Sequence, residues 1–262
     1  MKNTFKNWFA ALLLAAPMSM AAAAGGHANY EKVDIDLGDQ VSLQRGAQIF
    51  TNYCLSCHSA TGMRFNRLQD IGLTEDEIKK NLMFTTDKVG DVMQAAMTPT
   101  EGKKWFGAAP PDLTLIARSR GADYLYAYLR GFYQDPTRPT GWNNTVFDKV
   151  GMPHPLWEQQ GVRAVELDKD GRPVWEKDEH GNMAPKLYWE STGLHSRRLP
   201  NGKVIEKEYD DYVRDLVNYM VYMGEPAQMQ RKQIGYIVLI FLLAVMLPLA
   251  YFLKKEYWKD VH

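Results

Sequence analysis

The uncharged run from Ile234 to Leu253 limits what this chain can become more than any other feature. Rising about 1.5 Å per residue, a helix of that length matches a hydrocarbon core about 30 Å thick. A buried core helix is the alternative reading, and unbroken apolarity over the whole length argues against it. Pro248 lies inside the run and predicts a kink, since it can give no N–H to the helix ladder. Arg231 and Lys232 precede the run, and Lys254, Lys255 and Lys259 follow it, so the positive-inside rule mildly favours a cytoplasmic C-terminus.

A shorter apolar segment stands at the N-terminus. Lys2 and Lys6 carry its positive charge, Trp8 to Pro17 is mostly apolar, and Ala21 to Ala24 offers small residues for cleavage. It falls short of the roughly 20 residues needed to cross a bilayer, so an export signal cleaved near Ala24 is expected. The organisation read from the two segments is a signal peptide (1–24), an exported domain (25–230), a membrane anchor (231–254) and a cytoplasmic tail (255–262). Export with one anchor places the domain in the periplasm, on the outer side of a bacterial inner membrane. Lys plus Arg equals Asp plus Glu at 31 each, so no global field draws the chain to nucleic acid, and membrane lipid is met through the anchor.

Both cysteines fall in Cys54-Leu55-Ser56-Cys57-His58, which leaves no disulfide framework. Two thiols at this spacing can add to the two vinyl groups of a haem, and an imidazole directly after the second thiol reaches the iron from the same turn. The expectation is one covalently bound haem c held by Cys54, Cys57 and His58, with His58 as proximal ligand. A thioredoxin-like pair would need a βαβ context, whereas the segment before Cys54 is helical. A zinc site would need further ligands at regular spacing, and the other histidines are scattered.

The sixth position is less constrained by sequence. Thioether is the usual partner in an electron carrier, and the chain has 13 methionines. Met63 is too close to His58 to reach the other face of a ring, and Met83, Met93, Met97, Met220 and Met223 lie in segments of helical spacing. Met152 in Gly151-Met152-Pro153-His154-Pro155 and Met183 in Gly181-Asn182-Met183-Ala184-Pro185 both sit in proline-stiffened loops, and residue chemistry does not separate them. His154 is the best histidine alternative, while His180 and His195 have polar surroundings. A vacant sixth position would imply oxygen or peroxide chemistry instead.

Periodicity predicts a mainly α domain. Ser42 to Tyr53 reads as a helix with Leu43, Ala47 and Phe50 on one stripe, and Thr74 with Glu77 has the form of a capping box. Helices are also expected over Asp87 to Met97, from Asp112 or Thr114 through Arg120, from Asp123 through Arg130, and over Tyr209 to Met223. Residues 131–151 read as a structured loop. Val162 to Leu167 and Arg172 to Trp175 suggest a β-hairpin about Asp168-Lys169-Asp170-Gly171, and Pro200-Asn201-Gly202-Lys203 suggests a second.

Taken in order, Arg45-Gly46, Tyr53-Cys54 with Cys57-His58-Ser59, Arg64-Phe65, Arg67-Leu68, Pro110-Pro111-Asp112-Leu113, Arg118 with Arg120, Asp123-Tyr124, Gly151-Met152-Pro153, Glu225-Pro226 and Arg231-Lys232 form a pattern. It resembles the cytochrome c1 family of proteobacterial type, the haem subunit of ubiquinol:cytochrome c oxidoreductase (the bc1 complex). The resemblance implies a c-type cytochrome domain, mainly α with a small β-hairpin excursion, followed by one C-terminal transmembrane helix. It implies Met152, not Met183, as distal iron ligand beside His58, with Pro111, Arg120 and Tyr124 lining the haem and Arg120 near a propionate. The implied function is electron transfer from a Rieske iron-sulfur subunit to a soluble c-type cytochrome, alongside a cytochrome b subunit and with no bond chemistry by this chain alone. A monohaem subunit of a terminal oxidase or nitric oxide reductase, or a gas- or peroxide-handling haem enzyme, is the alternative. Two departures stand out: the loop-stiffening disulfide of some members cannot form here, and Gln160 to Lys207 is a hairpin-like insertion unlike the mitochondrial type.

Overall fold

The computed structural model describes residues 30–178 and 181–260. The expected signal peptide (1–24), Glu179, His180 and the last two residues of the tail lie outside the described residues.

Helix α1 (Gln40–Ile49) begins where the Asp39 carboxylate accepts from Ser42 N at 3.0 Å, and it buries Leu43 and Ala47, with Phe50 following on the same stripe. It runs on into a π-turn over Phe50–Cys54, closed by Leu55 N donating to Phe50 O. That wider turn ends at the buried Cys54, and His58 N then donates to Cys54 O at 2.8 Å, so the cysteines and His58 share one tight turn.

The long helix α7 (Lys207–Gly224) crosses α1 at backbone contact. A Cβ on Gly46 would lie 2.1 Å from Asp215 O and 2.6 Å from Tyr219 Cβ, so only glycine permits this approach. Around it the buried Asp215 carboxylate accepts from Ser42 Oγ at 2.7 Å and Arg45 Nε at 2.5 Å. Leu43, Ala47, Phe50, Val213, Leu216 and Tyr219 fill the seam, each essentially inaccessible to water.

Between these helices the expectations are met unevenly. β1 (Ala60–Arg64) is followed by a 3-10 turn over Phe65–Ile71 and by α2 (Glu75–Asn81), where Thr74 and Glu77 form the expected capping box. No helix forms over Asp87 to Met97. Val92–Met93 is a short strand, β2, paired antiparallel with β1, while Val89 O and Asp91 O accept from Asn66 N and Phe65 N. Pairing with β1 and the Thr86–Asp91 side-chain bond override the local helical spacing there. An unforeseen helix, α3 (Pro99–Phe106), follows, with Thr98 and Glu101 as its capping box and Pro99 in its first turn.

α4 (Ile116–Arg120) starts later than expected, because the Asp112 carboxylate is taken by Thr114 N and, across the chain, by Thr61 N and Oγ1. Asp123 does not cap α5 (Ala122–Arg130) either: Gly121, at φ +90, holds that place, and Asp123 binds Val33 N and Lys32 Nζ.

The 131–151 segment carries more order than its composition suggests. β3 (Phe132–Gln134) and β4 (Trp142–Asn144) pair antiparallel within it. After α6 (Trp157–Gln160), β5 (Gly161–Val165) runs parallel to β3 and antiparallel to β8 (Leu187–Thr192), giving a four-stranded sheet in the order β4-β3-β5-β8. The turn at Asp168–Gly171 forms as expected, and the expected hairpin closes beside it, with Leu167 bridging Pro173 antiparallel and Val174 N donating to Glu166 O, while the flanking residues find other partners. Gly161–Val165 takes Leu187–Thr192 as neighbour, and β6 (Trp175–Lys177) pairs with β7 (Met183–Pro185). The second hairpin, β9 (Arg197–Arg198) with β10 (Val204–Ile205), closes where expected.

The C-terminal helix, Gln228–Tyr257, is long and apolar enough to cross a membrane. It comprises α8 (Gln228–Phe241), a π-turn over Leu242–Met246 and α9 (Leu247–Tyr257). The π-turn ends just before Pro248, whose missing N–H leaves the ladder to slip by one residue.

Candidate functional site

A cavity of about 320 Å³ opens where the turn after α1 meets α5, α7 and the loop around Met152. Its lining is mostly apolar, and Arg120 is the one charged side chain among the described lining residues. Cys54, Cys57 and His58 enter from the turn, Pro111 from the diproline segment, Tyr124 and Tyr128 from α5, and Met152 from its loop. All seven expected site residues, Cys54, Cys57, His58, Met152, Pro111, Arg120 and Tyr124, therefore line one cavity.

The ring of His58 is 2.8 Å from the Pro111 carbonyl through Nδ1. A carbonyl oxygen only accepts, so the proton resides on Nδ1 and the lone pair of Nε2 is left for another partner. Burial lowers the His58 pKa, with the Pro111 contact opposing, and keeps the ring neutral. Burial also pushes the Cys54 thiol up to about 12, the reverse of what a thioredoxin-like pair needs. No group of three or more His, Cys, Asp or Glu able to hold a metal occurs among the described residues, so the zinc reading gains nothing.

Geometry separates the two loop methionines that residue chemistry could not. Met152 lines the cavity and its Sδ lies 3.5 Å from the Tyr128 hydroxyl. Met183 sits on β7, 57% exposed and outside the cavity. Met63 is packed in the core. His154 is buried but outside the lining, with Nε2 against Gln160 Oε1 at 2.8 Å and Nδ1 receiving Leu156 N at 3.4 Å, so both ring nitrogens are engaged. His195 stacks on Tyr212 at 4.7 Å instead. Arg118 leans on Gly224, whereas the Arg120 guanidinium stands 5.7 Å from the centre of the Tyr124 ring at the cavity.

Sequence reasoning missed Tyr128, Phe147, Val150 and the floor residues Leu216 and Met220. Tyr128 was within reach, since it lies four residues after Tyr124 on one helix and so shares its face. The set suits a covalently attached haem: two thiols and a free imidazole nitrogen, a thioether in the same apolar cavity, and a guanidinium of the kind that pairs with a carboxylate.

The profile of the Cytochrome C1 family matches residues 33–261. A protein of Nitrosomonas europaea named ammonia monooxygenase gamma subunit is 48% identical over 250 residues, covering 95% of this chain and 96% of that protein. Cytochrome c1 of Allochromatium vinosum is 45% identical over 254 residues, covering 97% and 98%. Cytochrome c1 of Rhodospirillum rubrum is 29% identical over 247 residues, covering 85% and 83%. Agreement at that level along nearly the whole sequence means that this chain belongs to the cytochrome c1 family, haem-bearing proteins of electron transport.

Proposed function

We propose that this chain is the cytochrome c1 subunit of a bacterial bc1 complex, accepting one electron at a time from a Rieske iron-sulfur subunit and reducing a soluble c-type cytochrome. The observation that carries the reading is His58, held through Nδ1 against the Pro111 carbonyl, in the same cavity as Cys54, Cys57 and Met152. One haem c, when bound, supplies a one-electron ferric–ferrous couple.

The chain's own residues do the rest. Cys54 and Cys57 would hold the ring as thioethers, His58 through Nε2 and Met152 through Sδ would ligate its iron, and Pro111 fixes the imidazole through its carbonyl. Arg120 offers its guanidinium to a propionate, and Tyr124 packs beside it. The apolar lining excludes water and favours the less charged, reduced state. Residues 25–230 form the periplasmic haem domain, 231–254 the anchor in the inner membrane beside a cytochrome b subunit, and 255–262 the cytoplasmic tail. Catalysis belongs to the complex, because this chain makes and breaks no bonds alone.

Isolation of the tagged full-length protein in mild detergent tests the assignment. Cytochrome b and a Rieske subunit are expected to co-purify, and the preparation should reduce a c-type cytochrome with quinol. Recovery with the core subunit of a terminal oxidase or nitric oxide reductase instead would overturn it. Ready carbon monoxide binding by the reduced protein would point to gas handling.

A further inference from the structure

The sheet-rich stretch that follows the Met152 loop has no part in the electron path just described, yet its buried polar groups converge on that loop. His154 is the point of contact. Because Nδ1 accepts from Leu156 N, the ring proton sits on Nε2 and is donated to Gln160 Oε1 at 2.8 Å. The same ring lies flat on Phe132, 4.6 Å between centroids and 4° between planes, with Trp142 edge-on at 5.2 Å.

Gln160 is in turn held from several directions. Its Nε2 donates to Arg130 O and to Glu206 Oε1, both at 3.3 Å, and its own carbonyl accepts from Gly193 N and Ser196 Oγ. Arg163, in the neighbouring strand β5, donates to Arg130 O and Phe132 O. Gly161 and Gly193 are glycines for a steric reason: a Cβ on either would lie within 2.6 Å of the other strand's backbone. Apart from His154 and Leu156, the groups bonded to Gln160 therefore belong to α5 or to the excursion.

The other end of the loop packs closely against α3. A Cβ on Gly151 would meet Phe106 O at 3.0 Å, so the chain passes close under the end of α3. Pro153 and Pro155 fix φ on either side of His154. Met152 thus lies between Gly151, packed close to Phe106 O, and the hydrogen-bonded His154.

We propose that the excursion between residues 157 and 206 serves as a lock on the Met152 loop, with His154 as the positioning residue through which it acts. This rests on the reading of Met152 as an iron ligand and deepens it. A thioether is a neutral and weak ligand, so the fraction of time it stays on iron depends on how little freedom its loop has. The His154–Gln160 bond removes that freedom at a distance from the iron.

The test uses the full-length, haem-loaded protein in detergent, with Gln160→Leu and His154→Phe beside the parent. The first removes the acceptor, and the second keeps a ring against Phe132 but no nitrogen. Three readouts are taken: covalently retained haem, the near-infrared sulfur-to-iron band of the ferric form, and carbon monoxide binding by the ferrous form. The expected result is full haem retention in both variants, a weakened band, and about a tenfold rise in the fraction that binds carbon monoxide, as loss of one buried hydrogen bond implies. Parental band and carbon monoxide behaviour in both variants would overturn the lock alone. A parent without the band would overturn Met152 ligation and the lock with it. Where neither variant accumulates, heating the parent decides: the lock requires the band to persist up to the global unfolding transition, and bleaching well below it counts against the lock.

Discussion

The Tyr128 hydroxyl stands 3.5 Å from Met152 Sδ, joining the α5 helix to the Met152 loop by one polar contact. Tyr128 is fixed by Tyr124, stacked at 6.0 Å, and by Phe132, edge-on at 5.3 Å. Burial raises its pKa, so the hydroxyl keeps its proton and donates. With Met152 on the iron, as proposed, a donor on the sulfur draws electron density from it and disfavours the ferric state. Tyr128→Phe should therefore lower the midpoint potential by a few tens of mV, since a hydrogen bond of about 0.5–1.5 kcal/mol divides over a one-electron couple. Redox titration of the haem-loaded protein checks the sign, and an unchanged or raised potential refutes it.

Met152→Leu and Met183→Leu separate the two loop methionines. The first should abolish the near-infrared sulfur-to-iron band and open the reduced protein to carbon monoxide. The second should leave both unchanged and shift stability by no more than about 0.5 kcal/mol, as expected of an exposed side chain. Optical spectra of the two proteins, side by side, are sufficient.

Gly46 is where α1 and α7 touch backbone to backbone. Gly46→Ala places a methyl against Asp215 O and should destabilise the protein by about 1–3 kcal/mol as the helices are forced apart. Guanidinium unfolding followed by haem absorbance measures this, and an unchanged midpoint would mean that the helices are not in that contact.

Thr98→Ala removes the cap of α3, the helix whose end abuts Gly151. A loss of about 1 kcal/mol is expected from the broken capping box. Hydrogen exchange should quicken over 99–106 and extend into the Met152 loop. Exchange confined to α3 would mean that the two do not move together.

How much of this could be read in advance differs from element to element. The capping box at Thr74 and Glu77 was legible because every atom in it lies within one turn. Thr98 and Glu101 carry the same signature and went unread, because the expected helix over Asp87 to Met97 ran up to them. Asp112 and Asp123 look like helix caps locally, yet distant partners, Thr61 and Val33, take their carboxylates.

Sequence alone determined the membrane span, the Cys-x-x-Cys-His turn and the stripe of α1, since each rests on interactions within a few residues or on solvent preference summed over a helix. Tertiary structure decided which methionine shares the cavity with His58, which strand lies beside β5, and why a glycine stands at position 46. Those are contacts between segments tens to hundreds of residues apart, and local propensity carries no record of them because the energies that select them arise only when the segments meet.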